Sequence, residues 1–219
     1  MIKQFTTLTF GLIFGLVSAS IGMAQEPSIN INPLTIEGGF VGNRYVIDAD
    51  FAAEFDIPVP APFEFFAPTS GNYQIFSEAA PGGTGMFKIS FVTSDRQVMS
   101  NLQFVPFTLP RGDAQAELDG LKRLLEQAFA GSVPNLERAE LTVVQITEIG
   151  DITALEAIGR YDGGVDGIVI LRIVAISNPD NENGVIAIIN ALTKNNDMAS
   201  VADVLTIEAS TALSTFRFQ

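Results

Sequence analysis

The sequence has no cysteine, no histidine and no tryptophan. Without cysteine there is no disulfide, no thiol nucleophile and no lipid-modified cysteine. Without histidine there is no Ser-His-Asp or Cys-His triad and no imidazole general base. The two gaps together exclude zinc sites built on imidazole or thiolate. The missing tryptophan removes one common stacking platform for sugars. Cations are scarce: 12 Lys and Arg stand against 25 Asp and Glu, for a formal charge of −13. Such a surface repels nucleic acid and anionic lipid headgroups, and it suits solubility, cations or a basic partner. Long apolar runs are also scarce. The strongest, Ile168 to Ile176, is interrupted by Arg172 and is far shorter than the roughly 20 residues of a spanning helix.

What is present begins at the N-terminus. Lys3 is the one charge before Glu26, an apolar run from Phe5 to Val17 follows it, and small residues lead to Gly22-Met23-Ala24. This basic, apolar, small-residue order is that of a secretory signal. The reading is a signal peptide over residues 1–24, cleaved after Ala24, and a periplasmic or secreted mature chain with no lipid anchor. Residues 25–39 are polar and Asn/Pro-containing and read as a flexible leader. Residues 40–219, in a chain that is 47% hydrophobic, read as one domain with a real core.

From Arg44 to Phe76 the chain is rich in Phe, Pro and Val, which predicts short strands with prolines at edges and ends. Pro81-Gly82-Gly83 marks a turn. Met86 to Val92 alternates, with Phe87, Ile89 and Phe91 on one face, as in a half-buried strand. Asp113 is placed to cap a helix over Ala114 to Ala130, with Leu118, Leu121, Leu125 and Ala128 on its inner stripe, Gly131 as a left-handed cap and Pro134 beyond. Strands are predicted over Glu140–Glu148, Ile152–Tyr161, Val165–Ser177 and Val185–Leu192. The glycines of Asp162-Gly163-Gly164 and the turn formers of Asn178–Gly184 separate the last three. Asn195-Asn196-Asp197 is expected to cap a last helix over Met198–Leu213. No βαβ alternation is visible. The fold class is therefore α+β, a largely antiparallel sheet covered by two main helices and extended segments.

This pattern resembles the PsbP-type α/β/α sandwich, shared by the extrinsic photosystem II protein, a Ran-binding Mog-type nuclear import factor and exported bacterial proteins. The matching residues are the Phe-Asp-Ile-Pro-Val-Pro segment (Phe55 to Pro60), a strand ending near Thr93, the mid-chain helix, Ala154-Leu155-Glu156-Ala157 and the long hairpin around Gly184. A last helix running into Ser214-Thr215-Phe216-Arg217 completes the set. The resemblance spans most of residues 40–219 and is one of pattern and spacing. It implies an exported bacterial branch of a family whose members are generally non-catalytic binding or assembly proteins.

Four features suggest a site. Asn178, Asp180 and Glu182 place oxygen ligands at alternate positions, as a calcium loop does, although glycine is seventh and Ile189 twelfth where that loop needs glycine sixth and glutamate twelfth. A solvated hairpin turn is the competing reading. Phe63, Phe65 and Phe66 form either core or a partner or ligand surface. Arg172 needs a carboxylate, with Glu156 and Glu148 as candidates, or else binds a ligand. Arg111-Gly112-Asp113 spells an adhesion tripeptide whose aspartate is already used as a cap.

No catalytic residue and no cofactor is implied. The favoured role is a non-enzymatic binding or assembly-accessory protein whose partner is another exported or envelope protein, with no nucleic acid and no membrane span. A small-ligand or calcium-binding protein is the alternative, and a carboxylate-dependent hydrolase the third. N-terminal sequencing of the exported chain is expected to start at Gln25; a start at Met1 contradicts the signal.

Overall fold

The computed structural model describes residues 35–37, 39–51, 62–69, 73–79 and 87–219. The predicted signal (1–24), most of the leader, the Phe55–Pro60 segment and the Pro81-Gly82-Gly83 turn lie outside the described residues. Two sheets carry the fold, and every pairing among the described residues is antiparallel.

The small sheet is built from β1 (Thr35–Glu37), β2 (Phe40–Ile47), β3 (Phe63–Pro68) and β11 (Arg217–Phe218), in that spatial order. β1 occupies the end of the segment read as a leader. It folds back on Phe40–Gly42 through Gly39, whose φ of 84° no bulky residue adopts comfortably. The large sheet has the order β4 (Tyr73–Ala79), β5 (Phe87–Thr93), β6 (Val98–Thr108), β10 (Asn183–Leu192), β9 (Ile168–Ser177), β8 (Ile152–Asp162), β7 (Ala139–Ile149). The long hairpin is β9–β10, closed by the Asn178–Gly184 turn as its residue types require.

β6 is a strand that the sequence reading passed over, and it is central. Leu102 and Phe104 point to one face and Gln103 and Val105 to the other, but Pro106 masks the pattern. Pro106 is tolerated because β5 pairs with β6 only as far as Phe104, so the strand there has β10 alone beside it.

One face of the large sheet packs on the small sheet. Phe63 and Phe65 of β3, Phe104 of β6 and Phe216 at the C-terminus form an aromatic layer. Its ring centroids are 5.0 Å apart for Phe63–Phe104, 4.9 Å for Phe65–Phe104 and 5.2 Å for Phe63–Phe216. Thr215 ties the chain end to β3: its hydroxyl accepts from Phe66 N–H at 2.7 Å and donates to Ala212 O at 2.7 Å. The opposite face carries α1 (Ala114–Ser132), which lays Leu125 and Ala128 over Leu155, Ala157, Leu171 and Ile173. Asp113 caps it, accepting from Ala116 N–H at 2.8 Å. The helix runs through Gly131 to Ser132 and stops where Val133 turns extended before Pro134.

The expected last helix is two pieces. A 3₁₀ segment Val201–Thr206 starts in a capping box between Ser200 and Asp203, and α2 (Glu208–Ser214) follows. The break falls at Ile207, extended and buried in the core. Asn195 and Asn196 do not cap it; their amides bond Val98 O and Met99 O and stitch the segment to β6.

Glu64 faces away from the aromatic layer and is nearly buried. Burial alone raises a carboxyl pKa, but hydrogen bonds from Arg44, Arg217 and Gln219 outweigh it and hold Glu64 at about 2. A depressed folded-state value contributes stability above the ordinary unfolded pKa and loses it as pH falls through the folded one. Chemical denaturation is therefore expected to show this contribution fading between about pH 4.5 and 2. Glu64→Gln should remove it at neutral pH, at a cost of about 1–3 kcal/mol, and flatten that part of the acid profile.

Candidate functional site

The residues singled out from the sequence lie in three places, none of them a shared pocket. Phe63, Phe65 and Phe66 are all buried. Phe65 stacks on Tyr45 at 5.0 Å, and β3 is central in its sheet with α2 against it. These rings are core and present no surface to a partner.

Arg172 is also buried, on the face of β9 that looks toward the small sheet. Its Nε donates to Glu156 Oε2 at 2.5 Å on the adjacent strand β8. The other carboxylate oxygen of Glu156 accepts from Gln145 Nε2 of β7 at 2.7 Å. An arginine can stand inside an apolar strand because a carboxylate, itself 1% exposed, meets it there. The guanidinium is thus engaged by protein. Glu148, the other candidate partner, projects from the opposite face of β7.

The Asn178–Glu182 loop forms a cradle of carbonyls, and Arg111 fills it. Its guanidinium donates to Asn178 O, Pro179 O and Asn181 O at 2.7, 2.8 and 2.8 Å. Asn178 Oδ1 accepts from Asp180 N–H at 2.9 Å, and Glu182 Oε1 lies 3.5 Å from Arg111 N. Asn178, Asp180 and Glu182 therefore shape a turn around a side-chain cation. Among the described residues there is no cluster of three or more Asp and Glu placed to hold a metal. The turn from Asp162 to Gly167 closes on Gly164 and Gly167, at φ 68° and 73°, with Lys194 on Asp166 at 2.8 Å.

A polar network lies on the sheet face that carries α1. Asn190 Nδ2 and Gln103 Nε2 both donate to Asn101 Oδ1, at 3.2 and 2.9 Å, and the Tyr161 hydroxyl donates to Asn190 Oδ1 at 3.2 Å. Burial, with the Asp166 charge adding to it, pushes the Tyr161 hydroxyl up to about 12, so it stays a donor at neutral pH. The buried carboxylates Glu64 and Glu156 are each held by arginine and not by a second acid. That is not the paired-carboxylate arrangement of glycoside hydrolysis.

The feature that remains open is β7. It is an edge of the large sheet, eleven residues long, and pairs only with β8 among the described residues. Leu141, Val144 and Ile146 share the face that carries α1, and they are 40%, 49% and 67% exposed. A single helix about 10 Å across covers about two strands at their spacing of about 4.8 Å. α1 lies over β8 and β9, and among the described residues Leu141, Val144 and Ile146 stay exposed beside it. The close approach is set at Gly159, where a Cβ would lie 2.5 Å from Glu140 O and 2.8 Å from the Phe129 ring. A bulge between Leu141 and Val143 bends the strand there. Edge strands normally carry charge, proline, a bulge or cover against unwanted pairing; beyond its bulge and its two glutamates, this one exposes Val144 and Ile146. Sequence reasoning found the strand but not its place at the edge.

No family model matches the chain, and no curated protein matches it. Among solved structures, the chain is similar to the cyanobacterial PsbP of Synechocystis (12% identity, TM-score 0.48, 90% of this chain and 99% of that one). It is also similar to the Ran-binding protein Mog1p of Saccharomyces cerevisiae (10% identity, TM-score 0.45, 81% and 95%). A Bacteroides thetaiotaomicron crystal structure matches at 12% identity and TM-score 0.43 over 81% of this chain, which spans only 48% of that protein. The PsbP and Mog-type structures are of the family whose resemblance was read from the sequence. At these identities and TM-scores no role and no binding residue carries over from any of them.

Glu156→Gln, which leaves Arg172 buried without its carboxylate, is expected to lower unfolding stability by about 3–5 kcal/mol. The double change Arg172→Met with Glu156→Leu should restore most of that loss or exceed the parent in chemical denaturation. A mild single effect would mean the pair is already solvated.

Proposed function

We propose that this protein is an exported, non-enzymatic binding or assembly-accessory protein, with residues 40–219 acting as one domain, and that it docks another exported or envelope protein along β7. The observation that carries this reading is an eleven-residue sheet edge with Leu141, Val144 and Ile146 exposed. Strand addition to such an edge supplies main-chain hydrogen bonds for affinity and alternate side chains for specificity. The signal-like first 24 residues support export. No histidine or cysteine is available for nucleophilic or general-base catalysis, and among the described residues the two buried carboxylates are committed to arginines. Among the described residues no helix is long and apolar enough to cross a membrane.

Lysine on the edge is the test. Ile146→Lys and Val144→Lys leave the core untouched, and a charge there opposes strand addition. Affinity capture from a periplasmic extract with the mature chain should retain a partner that either variant loses by about tenfold, with unchanged melting temperatures. Equal capture by parent and variants would remove β7 from the function.

A further inference from the structure

The residues along β7 specify what can pair with it, given that β7 is the docking edge as proposed above. Alternation places Leu141, Val144, Ile146 and Glu148 on the face that carries α1, and Gln145 and Thr147 on the other. A strand laid beside β7 therefore meets two apolar positions and then an acid on the same face. Glu148 is exposed and makes no salt bridge among the described residues. At the far end of the strand the charges are paired: Glu140 pairs with Arg160 at 2.7 Å, and Arg138 pairs with Asp162. The chain's charge of −13 draws a cationic segment toward this surface over a longer range.

A second copy fits less well. It brings a further −13, and the register that sets Val144 against the copy's Ile146 puts Thr142 and no cation opposite Glu148. Every pairing among the described residues is antiparallel, and an added strand in that sense is favoured slightly per residue. We propose that β7 accepts an extended, basic partner segment of pattern Lys/Arg-x-apolar-x-apolar, added antiparallel as an eighth strand, with its cation on Glu148 and its apolar residues beside Ile146 and Val144.

The test uses a fluorescein-labelled Lys-Thr-Val-Thr-Val-Thr peptide and its Glu-for-Lys counterpart, read by anisotropy at low salt on the mature chain. The lysine peptide should bind about tenfold more tightly than the glutamate one, and Glu148→Lys should reverse the order. Hydrogen exchange should slow within Leu141–Glu148 on binding and not in β4. Equal affinity for the two peptides overturns the proposal, as does protection elsewhere or a concentration-dependent dimer abolished by Ile146→Lys. If neither peptide binds while a captured partner stays sensitive to Ile146→Lys, the basic-segment proposal fails and the edge reading stands. Insensitivity to Ile146→Lys sinks the edge reading itself.

Discussion

The contact on which the rest of the structure depends is the aromatic layer between the two sheets. Phe63, Phe65, Phe104 and Phe216 lie within about two ring widths of one another, and they come from β3, β6 and the C-terminus. Rings of this size bury large apolar areas in offset or tilted arrangements, so a few of them dominate the association of two sheets. Phe216 fixes the chain end, Thr215 then fastens to β3, and the Glu64 cluster closes over the outer side of the same strand. One face of the large sheet is thereby used up. Among the described residues the other face has a single long helix to cover it. Seven strands are wider than one helix, and among the described residues β7 keeps Leu141, Val144 and Ile146 exposed.

The scarcity of cations shapes the charge pattern as much as the excess of acids does. Arg44 and Arg217 hold Glu64, Arg172 holds Glu156, Arg138 holds Asp162, Arg160 holds Glu140, and Lys194 holds Asp166. Arg111 is taken by the carbonyls of the Asn178–Asn181 turn. Most of the 12 basic side chains thus serve internal geometry. The exposed pairs among them add little to stability and serve mainly to place strand ends and turns. Glu148, outside these pairs, faces solvent beside the exposed Ile146 and Val144.

Local chemistry was legible where it is local. Asp113 caps α1, Gly164 of the predicted turn takes a positive φ, and the β9–β10 hairpin closes where turn formers cluster. The departures share a cause in contacts distant along the chain. Val165 reads as the start of a strand, yet it is 88% exposed in a 3₁₀ turn because β8 and β9 pair only from Asp162 and Ile168 onward. The last helix breaks at Ile207 because burying that side chain in the core outweighs continuous helix hydrogen bonds. Thr35–Glu37, inside the segment read as a leader, finds a partner strand in β2. Glu156 was a candidate for Arg172 from their strands, but only the register chose it over Glu148.

From its residues alone, this chain determined an acidic α+β domain with alternating strands, one well-capped helix, and no thiol or imidazole chemistry. Those properties depend on side-chain identity and on spacings of two or four residues. The tertiary structure decided which strand stands at the edge, which aromatic rings vanish into the core and which loop is filled by an arginine. A period of two says that a strand has two faces, but it is silent on what lies beside it. Val144 and Ile146 of β7 and Ile186 and Ile188 of β10 look alike along the chain. Only the order of strands in space leaves the first pair in water and buries the second.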